Sequence, residues 1–162
     1  MIKLSIITIN YNNVSGLRKT IESVKSQTFQ DYEWIVIDGG STDGSKELIE
    51  ENKQYFSYWV SEPDKGIYDA MNKGTVLAQG EYCQFLNSGD YLIAPDTLAK
   101  IFSKPLRADV IYGDVWFIKE NKVIEKRTYP DQMTLSFLFR SPLGHQATFV
   151  KTKAAQKHLY RT

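Results

Sequence analysis

The chain has 162 residues, with 20 Lys and Arg against 19 Asp and Glu, a net charge of +1 and one cysteine, Cys83. That length is one domain, and the balanced charge gives no global field to draw nucleic acid or an anionic membrane. A content of 42% hydrophobic and 24% charged residues excludes a disordered chain, and the lone cysteine excludes an internal disulfide framework and a multi-cysteine zinc site.

The N-terminal run Met1 to Ile9 carries Ser5 and Thr8 and has no small-residue cleavage pattern behind it, so it reads as a first buried strand and not a signal peptide. No run reaches the roughly 18–20 apolar residues of a membrane span. The unpaired cysteine and missing signal predict a reducing, cytoplasmic setting. Leu4 to Ile9 is too short and β-branched for a helix and ends at the turn cluster Asn10-Tyr11-Asn12-Asn13. Leu17, Ile21 and Val24 then fall at helical spacing, with Ser15 as the expected cap. Trp34 to Ile37 is a second strand, stopped by Asp38-Gly39-Gly40-Ser41-Thr42-Asp43-Gly44, and a helix follows from about Ser45. Tyr58 to Val60 is a third strand. Ile67, Ala70, Met71, Gly74 and Leu77 trace a helical stripe, and Tyr82 to Leu86 is a fourth strand ending at Asn87-Ser88-Gly89-Asp90. Asp96 is placed to cap a short helix with Leu98, Ile101 and Phe102 inward. Beyond it, Val110 to Tyr112, Val115 to Ile118, Val123-Ile124 and Ala147 to Val150 read as strands, with a helix near Met133 to Phe139. The βαβα order predicts parallel strands joined by right-handed crossovers, a doubly wound α/β sheet with an antiparallel or mixed extension.

In such sheets ligands bind beyond the carboxyl ends of the strands. Those ends deliver Thr8, Asn10 and Tyr11 from the first strand, Asp38 and Gly39 from the second, and Asn87 and Asp90 from the fourth. A strand-end carboxylate can hold a nucleobase N–H or a ribose hydroxyl, and glycines admit close backbone approach; equally, such a turn can serve only as a helix cap. Lys65, just before the third helix, is where a phosphate would meet an ammonium and free backbone N–H groups. Asp69 and Asn72 share a face of that helix, and a capping or surface role for Asp69 stands beside a functional one. Asp90 can ligate a divalent cation, or simply close an Asx-turn. His145-Gln146 precedes the last strand, where a lone histidine is as often structural as functional. Neither G-x-G-x-x-G after a strand nor a phosphate-binding G-x-x-x-x-G-K-[ST] occurs.

Taken in order, these segments resemble the family 2 glycosyltransferases of the GT-A fold. They run from Ile6-Ile7-Thr8-Ile9-Asn10-Tyr11-Asn12 through Asp38-Gly39-Gly40-Ser41-Thr42-Asp43-Gly44-Ser45 to Ser61 through Gly74. The set continues through Gly80-Glu81-Tyr82 and Phe85-Leu86-Asn87-Ser88-Gly89-Asp90 to His145-Gln146-Ala147-Thr148-Phe149. The resemblance is closest to bacterial surface-polysaccharide members. It implies a Rossmann-like, mainly parallel mixed sheet flanked by helices over residues 1–162, with 1–90 as the nucleotide-sugar-binding half and 91–162 as an incomplete acceptor-side half. It implies inverting transfer of a sugar from a nucleoside diphosphate, a UDP-sugar foremost, to a hydroxyl of a saccharide or lipid-linked saccharide.

By the same resemblance Thr8 and Tyr11 frame base and ribose, Asp38 contacts the base, and Lys65 approaches the nucleotide, with Asn10, Gly39, Asp69 and Asn87 in the same donor-binding set. Asp90 matches the last carboxylate of a D-x-D-D cluster that holds Mn²⁺ or Mg²⁺, and His145 and Gln146 fall on the acceptor side. Asn87 and Gly89 replace the first two acidic members of that cluster. The family's catalytic base follows the His-Gln segment, and no acidic residue follows Asp131 here, so the base is expected beyond Thr162 in a C-terminally truncated chain. The alternative is a nucleotide-sugar-binding module or inactive fragment without turnover. Trp116, Tyr129 and His145 are the acceptor-pocket candidates. Pairing of two copies would cover bared apolar surface, so a homodimer joins the expected partners, with a peripheral position at the inner membrane face.

Overall fold

The computed structural model describes residues 2–120 and 122–162. Eight strands and six helices follow one another as β1 (Leu4–Asn10), α1 (Val14–Lys25), β2 (Tyr32–Asp38), α2 (Ser45–Glu51), β3 (Tyr58–Ser61), α3 (Ile67–Leu77), β4 (Tyr82–Phe85), α4 (Thr97–Ile101), β5 (Val110–Tyr112), β6 (Val115–Lys119), β7 (Lys122–Arg127), α5 (Leu135–Arg140), β8 (Thr148–Lys151) and α6 (Thr152–Lys157). Six strands form one sheet in the order β3-β2-β1-β4-β8-β5, and β6 and β7 form a separate hairpin. β1 is parallel to β2 and β4, and β2 to β3, whereas β8 runs antiparallel to both β4 and β5. This is the mixed, mainly parallel α/β sheet expected.

The central strands are covered on both faces, which is why every residue of β1 is buried and Trp34 to Ile37 of β2 reads as an unbroken apolar run. Leu4, Ile6, Trp34, Val36 and Tyr82 pack with Leu17, Ile21, Leu48 and Leu98 on one face. Ile7, Ile9, Ile35, Ile37 and Cys83 pack with Ala70 and Met71 on the other. α3 lies close because Gly74 has no side chain: a Cβ there would sit 2.4 Å from Ile7 Cγ2.

Several local expectations change. α1 is capped by Asn13, whose Oδ1 accepts the Gly16 N–H at 3.1 Å, and not by Ser15, which lies inside the helix. Ile67 and Leu77, expected on the buried stripe of α3, are exposed, and Thr75 is buried there instead. Asp96 precedes α4 but makes no side-chain capping bond; it pairs with Lys100 at 2.9 Å. Among the described residues no helix is long and apolar enough to cross a membrane.

Candidate functional site

The parallel pairing sets the geometry. Asn10 lies opposite Asp38, and Asp38 opposite Ser61, so three strands end level. After β4 the chain stays beside β1 through Leu86 N–H to Ile7 O (2.9 Å) and Ser88 N–H to Ile9 O (3.0 Å). The Asn87–Asp90 turn therefore opens on the same rim as Asp38. β8 arrives antiparallel, so its amino end meets the carboxyl end of β4 and carries His145 to that rim: His145 Nε2 is 3.2 Å from Asn87 Nδ2 and 3.9 Å from Asp90 Oδ2.

Beneath the rim lies a buried polar knot. Asp38 is fully buried. Its Oδ1 accepts from Asn10 Nδ2 (2.6 Å) and Ser41 Oγ (2.5 Å), and its Oδ2 from Ser41 N–H (2.9 Å) and Ser61 Oγ (2.6 Å). Burial pushes this carboxyl up, but the bonds from Ser41, Ser61 and Asn10 outweigh it and hold the group below its ordinary value. A carboxylate with both oxygens satisfied and no exposed surface fixes the loop above it. Asn10 is equally buried, with Oδ1 left unpaired. Thr8, expected beside the base, instead shares the core face of Leu4 and Ile6, where its hydroxyl accepts from Trp34 Nε1 at 3.0 Å. Strand alternation forces this, because Thr8 is an even number of residues from Leu4.

The exposed layer is made by other residues. Tyr11 is 67% exposed. The carboxylate of Asp64 lies over the bare Cα of Gly39: a Cβ there would be 2.7 Å from Asp64 Oδ2 and 3.2 Å from Tyr11 Cδ2. Gly66 N–H donates to Asp64 Oδ1 (2.8 Å), leaving Oδ2 on the Gly39 side. Lys65 is exposed, and among the described residues its ammonium makes no ion pair. Asp69 accepts the Lys65 backbone N–H at 3.2 Å and lies 3.7 Å from Lys73 Nζ, so it braces the loop ahead of α3.

Asp90 is positioned from α1. The Thr20 hydroxyl is fully buried, donates to Asp90 O at 2.7 Å and accepts from Gly89 N–H at 3.0 Å. Gly89 has φ of +102°, a conformation that a side chain would strain, and Asn13 Nδ2 donates to Ser88 O at 3.0 Å. Burial raises the Asp90 carboxyl above its ordinary value, opposed by the charge that His145 carries when protonated. Asn87 Oδ1 is buried without a hydrogen-bond partner. Among the described residues no three or more His, Cys, Asp or Glu side chains cluster as a metal site. One partly desolvated carboxylate beside an imidazole and an unpaired amide oxygen still fits a divalent cation whose remaining ligands are diphosphate oxygens and water.

Beside Asp90 the rim continues into a cavity of about 610 Å³ between the sheet and the β6–β7 hairpin. Gln84, Asp90, Asp114, Trp116 and Gln146 line it, whereas His145 lines a second cavity of about 420 Å³ on the other side of β4. Sequence reasoning missed Thr20, Ser41, Ser61, Asp64, Gln84 and Asp114. For Thr20 and Gln84 the signal was present, as one polar residue in an otherwise apolar buried pattern.

A model of "Glycosyl transferase family 2" matches residues 5–156. An uncharacterized glycosyltransferase of Mycobacterium tuberculosis is 44% identical over 98 residues, covering 60% of this chain and 37% of that protein. A PGL/p-HBAD biosynthesis glycosyltransferase of Mycobacterium bovis is 32% identical over 153 residues, covering 91% of this chain and 58% of the relative. The chain thus spans less than two thirds of the length of these relatives. Among solved structures, S. aureus TarS 1-349 in complex with UDP superposes with a TM-score of 0.74 at 21% identity, over 96% of this chain and 48% of that one. The mannosyltransferase PcManGT of Pyrobaculum calidifontis, in complex with GDP-Man and Mn²⁺, gives 0.68 at 17% identity, over 96% and 46%. With the family model matching residues 5–156 and the mixed, mainly parallel sheet of the GT-A fold present, the chain belongs to glycosyl transferase family 2.

Proposed function

We propose that this chain supplies the donor-binding half, residues 1–90, and part of the acceptor side, residues 91–162, of an inverting glycosyltransferase. It moves a sugar from a nucleoside diphosphate, UDP foremost, to a hydroxyl of a saccharide or lipid-linked saccharide in surface-polysaccharide assembly. The observation that carries this reading is the convergence of Tyr11, Gly39, Asp64 and Asp90 on one rim of the parallel sheet. The nucleoside lies against the Tyr11 ring over the Gly39 backbone, with Asp64 Oδ2 accepting a base N–H or ribose hydroxyl. Asp38 and Asn10 act from below by fixing Ser41 and Ser61. Lys65 stands toward the phosphates, where its charge is stabilising.

Asp90, with His145 and the Asn87 amide oxygen beside it, would hold a divalent cation, as support from the Mn²⁺-bound PcManGT suggests. When bound, the cation supplies charge neutralisation for the departing diphosphate. The buried Thr20 hydroxyl keeps the Asp90 turn fixed, so the carboxylate is oriented before the donor arrives. The acceptor enters from the Asp90 side, with Gln146 behind it. Proton removal from its hydroxyl needs a general base. Asp131, exposed in the segment after β7, is not among the residues that line the cavity.

A second reading, nucleotide-sugar binding without turnover, is favoured by the cavity itself, which holds only Asp90 and Asp114 as carboxylates among the described residues. Calorimetry with UDP, with and without Mn²⁺, tests the donor site: binding strengthened by Mn²⁺ and lost in Tyr11→Ala supports it, and no binding of UDP refutes it. UDP-GlcNAc hydrolysis measured in parallel separates the two readings.

A further inference from the structure

We propose that the cavity beside Asp90 takes an amphiphilic acceptor, a hydroxyl-bearing head carried on an apolar aglycone, and is not shaped for a bare sugar; this rests on the donor reading above. Its volume of about 610 Å³ is that of a small-molecule pocket. Gly89 and Asp90 are part of its lining, so an occupant's head group set against them lies beside the place where the donor's sugar would be.

Its walls are mainly apolar: Ile101, Ile111, Val115 and Phe149 deep within it, and Ile93 and Trp116 on its border. Ile93 is 55% and Trp116 43% exposed, so both offer apolar surface that an occupant would cover. Lys126 Nζ lies 4.1 Å from the Trp116 ring centroid, which braces the indole from the neighbouring strand.

One polar group inside is uncommitted. Gln84 is 1% exposed. Its Nε2 donates to Gln146 O at 2.6 Å, and because that oxygen only accepts, the amide cannot be turned round. Gln84 Oε1 is therefore left buried without a hydrogen-bond partner. A buried carbonyl oxygen without a donor is costly, and a hydroxyl of the acceptor head supplies one. Asp114 stands on the same wall, its Oδ1 taken by Tyr129 N–H at 3.1 Å and its Oδ2 without a bond among the described residues. Asp114 and Gln84 thus offer two acceptors to a hydroxylated head, while the aglycone lies against Trp116 and Ile93.

Calorimetry with octyl β-D-glucoside below its micelle concentration and with methyl β-D-glucoside tests this. The octyl compound is expected to bind at least tenfold more tightly. Trp116→Ala and Ile93→Glu, both at exposed positions that tolerate change, are expected to weaken it fivefold or more, and Gln84→Met to weaken it about fivefold. Phe139→Ser, on α5 and outside the cavity, is expected to change nothing. Equal affinity for the two glucosides, no affinity for either, or octyl binding that survives Trp116→Ala and Ile93→Glu overturns the proposal, as does loss of binding in Phe139→Ser, which marks nonspecific adsorption. Failure of the donor reading appears separately, as absent UDP binding by the unmodified chain.

Discussion

Replacing Asp38 separates a positioning carboxylate from a ligand contact. In Asp38→Ala four donor bonds lose their acceptor at once: Asn10 Nδ2, the Ser41 hydroxyl and N–H, and the Ser61 hydroxyl. Asn10 Nδ2 also donates to Ser41 Oγ at 3.2 Å, and Ser61 can turn outward, so those two recover in part. The Ser41 N–H and the Ser41 hydroxyl do not. At about 1.5–3 kcal/mol for a hydrogen bond to a charged group, two unrecovered bonds place the loss at about 3–6 kcal/mol. Asp38→Asn is milder. Its amide oxygen keeps the Ser41 N–H and Ser61 bonds, while its new N–H₂ faces Asn10, whose Oδ1 has no partner and becomes an acceptor when that amide turns over. We expect a cost of about 1–2 kcal/mol for that exchange of a charged for a neutral network. Urea unfolding measures both, and UDP titration follows the loop. Equal destabilisation by Ala and Asn, or Asp38→Ala within about 0.5 kcal/mol of the parent, a change typical of an uninvolved surface site, would refute the reasoning.

Thr20→Val removes the hydroxyl that bonds both Gly89 N–H and Asp90 O; a loss of about 1–3 kcal/mol in urea unfolding and a weaker Mn²⁺ enhancement of UDP binding are expected, and unaltered Mn²⁺ enhancement counts against the tether. Gly80→Ala would set a Cβ 2.6 Å from Leu4 C and Ser5 N, on the backbone of the central strand, and is expected to cost about 3 kcal/mol. Gly113→Ala, with nothing within 4 Å, is its control and should stay near the parent's melting point. Acid unfolding should show the lowered carboxyls: Glu81, held down by hydrogen bonds from Lys151 and then Lys3, and Asp38. A folded value below the unfolded one makes the ionised form the stabilising form. Their contribution is complete above the ordinary values of 4.5 and 3.8 and fades as pH falls through the lowered ones. Asp38→Asn should therefore flatten the acid limb of stability against pH, and an unchanged limb contradicts the assignment.

The fold was legible where burial is two-sided. Ile6-Ile7 and Trp34 to Ile37 are apolar in succession because helices cover both faces, and the 3.6-residue pattern of α1 is regular. Their strand ends, read as converging, do converge. What the pattern hid was depth. A polar residue at a strand end looks the same whether it faces solvent or other polar groups, and Asp38 and Asn10 face each other below the rim. Thr8 was misplaced although period-two alternation puts it with Leu4 and Ile6. The residues that bring Tyr11 and Asp64 together, and Thr20 to Asp90, are separated by 53 and 70 positions, and no local period records such pairings. Asp64 was passed over for Lys65 because a loop carboxylate carries no sign of the glycine it covers.

The central claim is that one rim of the sheet holds the donor from Tyr11 to Asp90. The most direct measurement is a crystal structure of the chain with UDP and Mn²⁺. Uracil and ribose against Tyr11 and Gly39 within reach of Asp64, and a diphosphate extending to Asp90, are the expected result. A nucleotide bound away from that rim, or one whose diphosphate points from Asp90 toward α3, would contradict it.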